Sequence, residues 1–132
     1  MSALKEEIVY MTEISIPPIT KKNSQQLIPV KKNGKRRYIP IPSEQYKEYE
    51  SAAGKYLKAN QKIDYPVNVQ AVFYTKTRGN VDLTNLLSAI CDVLVHYQVV
   101  EDDNRKIVFS HDGSRVFWDK VNPRTELVIT KI

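Results

Sequence analysis

Acids and amides recur in one part of this chain at a spacing that could hold a divalent metal. Asp82, Asn85, Ala89, Asp92 and His96 step by three or four residues, so on a helix they project from one side, with Ser88 beside them. The doubled acid Asp102-Asp103 follows shortly after. Hard cations such as Mg²⁺ or Mn²⁺ prefer oxygen ligands, and a metal held by carboxylates can activate water and stabilise charge at a phosphate. Geometry limits which acids can share an ion. Asp82 and Asp92 stand about 15 Å apart along a continuous helix, too far for both to ligate one ion directly. The expected ligand group is therefore Asp82 with Asp102 or Asp103, the alternative being ligands contributed across a dimer. Asp92 is then a helper near the site or a hydrogen-bonded structural acid. As a plain helix cap Asp82 would satisfy free backbone N–H groups, but that role leaves Asp102 and Asp103 without a purpose.

Other chemistries find less support. With two His, one Cys and no HxxxH spacing, a zinc site is not expected. Ser88 and Cys91 lack a triad context, and a single Cys reads as a reduced, buried thiol. No stretch approaches the roughly 18 apolar residues of a membrane span, and an apolar signal core is missing at the start, so a cytoplasmic protein with no membrane partner is expected.

The acids must be positioned, and the flanking pattern says how. Leu83, Leu86, Leu87, Ile90, Val93 and Leu94 recur at helical spacing and describe an amphipathic helix with one buried stripe. Val67 to Thr75 alternates as a strand and delivers the chain to Lys76 and Arg78 ahead of Asp82. Upstream, Glu7 to Ile16 alternates as a first strand with Ile8, Tyr10, Thr12, Ile14 and Ile16 on one face, ended by Pro17 and Pro18. Gln25 to Val30 and Arg36 to Ile39 flank Asn33-Gly34, a strong hairpin signal. Ser43 is a plausible N-cap for a helix to about Lys58, with Tyr46, Tyr49, Ala53, Tyr56 and Leu57 on its apolar side and Gly54 marking a close contact with the sheet. Short strands are expected at Ile107 to Ser110 and Arg115 to Trp118 around the Asp112-Gly113 turn, then Thr125 to Ile132. The order predicts one α+β domain over residues 1–132, a mixed β-sheet with two helices packed on a face.

Charge is distributed unevenly. The chain carries +5, yet residues 14–43 hold Lys21, Lys22, Lys31, Lys32, Lys35, Arg36 and Arg37 and no acid, so that segment carries +7 and the remainder −2. Clustered Lys and Arg neutralise phosphates and release counterions, which points to DNA contact by this segment, with Lys76 and Arg78 beside the acids.

The stretch from Arg78 to Asp103 resembles the RusA-type Holliday-junction resolvases. Asp82, Leu83, Asn85, Leu86, Ala89, Asp92, Leu94, Asp102 and Asp103 stand at the matching positions and spacing of the family motif. The segments IPPITKKNS and PIPSEQYKEY extend the likeness over nearly the whole chain. Two positions depart: Thr84 where the family usually has a second acid, and Ser88 where it usually has a Lys. The resemblance implies a small homodimeric endonuclease of DNA recombination and repair that needs Mg²⁺ or Mn²⁺ to cut four-way DNA junctions, with Asp82, Asn85, Asp92, Asp102 and Asp103 at its catalytic centre. Two alternatives stand beside it: a junction-binding protein whose catalysis is weakened by the two departures, and a basic RNA-binding module. A clear aromatic-basic stacking motif is missing from the sequence, which counts against the last.

Overall fold

The computed structural model of the protein describes residues 7–20, 25–42, 44–58 and 61–132. Strands β1 (Glu7–Ile14), β2 (Gln25–Lys32), β3 (Lys35–Pro42), β4 (Val67–Thr75), β5 (Val108–Ser110), β6 (Arg115–Trp118) and β7 (Arg124–Lys131) combine with helices α1 (Glu44–Ala53) and α2 (Leu83–His96). The fold is α+β. β1, β7 and β4 lie side by side and antiparallel, while β5 and β6 both pair parallel to β4 along its other edge. The Asp112-Gly113 turn therefore does not fold β5 and β6 back on each other. Asn68 explains why: its Oδ1 accepts from the Ser110 hydroxyl at 2.6 Å and the Asp112 amide at 2.7 Å, pinning the turn to β4 so that the chain continues in the same direction.

Alternation builds the core. In β4, Val67, Val69, Ala71 and Phe73 are buried at every second position and meet Leu127 and Ile129 of β7. Leu86, Ile90, Val93 and Leu94 of α2 and Tyr46, Tyr49 and Ala53 of α1 close that face. A register irregularity between Ile8 and Tyr10 turns Ile8 out to solvent, away from the face that Tyr10, Thr12 and Ile14 share.

β2 and β3 form a separate two-stranded ribbon. Asn33 and Gly34 take φ of 55° and 74°, the two left-handed residues that a two-residue hairpin turn requires. Pro29, Pro40 and Pro42 fit because each strand of a two-stranded ribbon has an unpaired edge. Of the expected features around it, Lys21, Lys22 and the Ser43 cap lie outside the described residues.

α1 stops at Ala53 and tightens into a 3₁₀ turn at Gly54–Tyr56, short of Lys58. The close approach at Gly54 is to a helix end, not to the sheet. A Cβ there would sit 2.7 Å from Tyr97 ring atoms, and the Tyr97 hydroxyl donates to the Glu50 carbonyl at 2.6 Å. Gly54→Ala must push this ring out of place, so it is expected to cost about 1–3 kcal/mol of stability, read as a lower urea midpoint.

Candidate active site

β4 ends beside β6, and that pairing sets where the following loop starts. Thr75 donates its hydroxyl to the Thr77 and Phe117 carbonyls at 3.0 and 3.2 Å, and the Asp119 amide donates to the Thr75 carbonyl at 2.9 Å. Residues 76–81 then lead to Asp82, the residue before α2. Its backbone is extended (φ −82°, ψ 127°) and its carbonyl accepts from the Asn85 and Leu86 amides at 3.1 and 3.2 Å. Its side chain makes no capping hydrogen bond. Instead Asp82 Oδ2 accepts from the Asn85 side-chain amide at 3.2 Å, and the residue is exposed. The carboxylate is thus oriented by Asn85 and left facing water, which the plain capping role does not explain.

α2 is continuous through Asp92, so Asp82 and Asp92 sit about 15 Å apart along its axis. Thr84 and Ser88 are exposed, while Ala89, on the side expected to be polar, is buried. The helix ends in a Schellman turn: Gln98 takes φ 59°, its amide donates to the Val95 carbonyl at 3.0 Å, and the Val99 amide donates to the Leu94 carbonyl at 2.9 Å. Two backbone bonds, Ile63 N–H to the Val99 carbonyl and Glu101 N–H to the Ile63 carbonyl, both 2.9 Å, then anchor the chain before Asp102.

Asp102 is used by its own turn. Oδ1 accepts from the Asp103 amide at 2.7 Å and Oδ2 from the Asn104 side chain at 3.2 Å. Asp103 is held above the usual carboxylate range, first by desolvation, then by its side-chain hydrogen bond with Asp102 and by the negative charges of Asp92 and Asp102. The same acids reach Cys91. Burial, reinforced by Asp103 and Asp92, pushes that thiol up to about 12, which rules out thiolate chemistry near neutral pH. His111 Nδ1 donates to the Val69 carbonyl at 2.9 Å, leaving Nε2 to face Cys91 Sγ at 4.0 Å. The fold thus brings Asp92, Asp102 and Asp103 into one electrostatic neighbourhood and pairs Asp82 with Asn85. Among the described residues, no group of three or more His, Cys, Asp or Glu side chains is placed to hold a metal ion.

The basic residues fall into two places. Lys31, Lys35, Arg36 and Arg37 are exposed near the tip of the ribbon, where the register sets Lys31 opposite Arg36 and Lys32 opposite Lys35. Lys76 and Arg78 are exposed on the loop leading to Asp82. Beside that loop a cleft of about 590 Å³ runs between Pro17-Pro18, Tyr49 of α1 and Asn80-Val81, with Lys76 on its wall.

Sequence reasoning missed the aromatic surface next to the loop. Trp118 donates its Nε1–H to the Lys76 carbonyl at 3.3 Å and lies under the Arg78 guanidinium, 4.5 Å from the ring centroid. Behind it Phe117 stacks on Tyr74 at 5.5 Å, and Arg124 covers Tyr74 at 3.7 Å. Phe117 and Trp118 lie about forty positions beyond Tyr74, Lys76 and Arg78 in the chain, and the parallel β4–β6 pairing brings them together, as the β4–β7 pairing brings Arg124 to Tyr74. The Arg115–Trp118 strand signal was the sole hint.

Among the described residues no helix is long and apolar enough to cross a membrane. No curated protein matches the chain in sequence. The family model described as endodeoxyribonuclease RusA matches residues 15–130, taking in the basic ribbon, both helices and every acid of the site. On that match the chain belongs to the RusA endodeoxyribonuclease family.

Proposed function

We propose that the protein resolves four-way DNA junctions by metal-dependent hydrolysis of phosphodiesters, acting as a homodimer. The observation that carries this reading is the Asp82 carboxylate: it stands at the start of α2, is oriented by Asn85, and makes no capping bond to the helix it precedes. The family membership supports a nuclease, and the basic ribbon supports DNA as the partner.

The donors fit a hard divalent cation in kind, since Asp82, Asp102 and Asp103 offer only carboxylate oxygens. Desolvation first, and then the hydrogen bond with Asp102 and the charges of Asp92 and Asp102, raise Asp103's affinity for a proton, and a cation entering there would compete with that proton. Asp82, Asp102 and Asp103 would hold Mg²⁺ or Mn²⁺, which when bound supplies charge neutralisation at the phosphate and a water of lowered pKa. Asn85 fixes the Asp82 carboxylate, Asp92 maintains the negative field around Asp103, and Lys76 and Arg78 pair with the phosphates of the strand to be cut. Water is the nucleophile. Because no three acidic or other ligating side chains among the described residues are placed around one ion, we assign completion of the ligand set to a second protomer of the dimer. Sedimentation is therefore expected to give a dimer both free and on a junction; a monomer in both conditions removes this assignment.

A second reading is favoured by Thr84 and Ser88, exposed on α2 where an acid and a Lys would serve catalysis. The protein would then bind junctions and cut them weakly or not at all. Adding Mg²⁺ or Mn²⁺ to the protein on an end-labelled four-way junction separates the two, because only the nuclease yields paired nicks. A preference for single strands or hairpins of RNA over the junction would overturn both.

A further inference from the structure

Trp118 is the single tryptophan of the chain, and it is 48% exposed at the end of β6. Its polar atom is already engaged by the Lys76 carbonyl and one face lies under Arg78, so what the ring still offers is the π face away from Arg78. The two cations resting on aromatic rings here are not equivalent. Arg124 is neutralised by Asp119, Glu126 and Glu13 at 3.1, 3.2 and 3.4 Å. Arg78 has no carboxylate partner among the described residues, so its charge remains available to an anion while its guanidinium sits over the indole. Trp118 opposes Thr75 in the sheet, and the loop that hangs from it leads through Arg78 to Asp82.

We propose that Trp118, with Arg78 above it, is a stacking platform for a nucleobase exposed at the branch point of the DNA, and that this platform distinguishes branched DNA from continuous duplex. The inference rests on the branched-DNA reading above and names a positioning surface for it. In a continuous duplex each base pair is covered on both faces by its neighbours. Where arms diverge, a terminal pair loses one neighbour and presents a bare face, which an indole can cover while Arg78 pairs with the adjacent phosphate. The acids of the site carry no such information, since every phosphate in every arm looks alike to them.

The single tryptophan makes the test direct. The wild-type protein, without divalent metal so that nothing is cut, is titrated with a four-way junction and with a linear duplex of the same arm sequence, while tryptophan emission and binding are followed together. Saturating junction is expected to quench or shift the emission, and saturating duplex to leave it unchanged. Trp118→Ala is expected to weaken junction binding about tenfold or more while duplex binding stays within about twofold, and Trp118→Phe to restore most of the loss. Unchanged emission on a saturated junction overturns the platform, as does an alanine variant, folded by circular dichroism, that keeps its full preference or loses junction and duplex equally. If the wild-type protein shows no preference for the junction, the branched-DNA reading falls and takes the platform with it.

Discussion

Asp82→Asn and Asp103→Asn are each expected to lower junction cleavage roughly a hundredfold or more while leaving the fold intact and junction binding at or above the wild-type level. Asparagine keeps the size and shape of the side chain but removes the charge that would neutralise a cation. Because the Asp82 carboxylate caps nothing, its loss should not shorten α2, and circular dichroism is expected to be unchanged. Binding survives because an anion facing phosphate has been removed. Thr84 supplies the converse test. It is exposed one turn or less from Asp82, so Thr84→Asp can add a carboxylate without disturbing the core, and it is expected to lower the metal concentration that half-activates cleavage. Folded Asp82 and Asp103 variants that cut at the wild-type rate would remove both acids from the chemistry.

Neutralising the ribbon tip, with Lys31, Lys35 and Arg36 replaced by Gln, is expected to flatten the salt dependence of junction binding. Each lost phosphate contact removes nearly one unit of slope in log affinity against log salt, so three should remove about 2.7. The structure gives this expectation a second root. Cations directly opposite one another across a β-ribbon repel, and here the register sets Lys31 opposite Arg36. A polyanion relieves that repulsion, so in its absence the triple variant should hold its hairpin at least as well as the wild type. An unchanged slope in binding measured from low to moderate salt would take the ribbon out of the interface.

What could be read from the residues in order is what local periodicity encodes. β4 was legible to its ends because Val67, Val69, Ala71 and Phe73 are all buried on one face of a single element, and α2 because its leucines recur at helical spacing. The Asn33-Gly34 turn was legible because those two residue types tolerate the left-handed backbone at little cost. Long-range pairing was not. Trp118 reaches the loop before Asp82 only through a parallel alignment with β4, which leaves no periodic trace in either segment. Gly54 signalled a close approach but could not name Tyr97 as the partner. Ala89 was placed on the polar side by its spacing alone, yet its methyl group is buried. The neighbourhood of Asp92 and Asp103 depends on the Schellman turn at Gln98, a residue whose type does not advertise a left-handed backbone.

The way the acids are attached has a consequence for local opening. Asp82 follows a loop tethered to the end of β4, a strand paired on both sides and buried at alternate residues. Asp102 and Asp103 follow the single bridge between Ile63 and Val100, with two backbone bonds to hold it. In amide hydrogen exchange the β4 and β7 amides should therefore be released only with global unfolding, whereas the Ile63 and Glu101 amides should exchange through a cheaper local excursion. One part of the acid set thus follows a strand paired on both sides, and the other a clasp held by two backbone bonds. Occupation of the site by metal or DNA would register first as slowed exchange at Ile63 and Glu101, with the rest of the sheet silent.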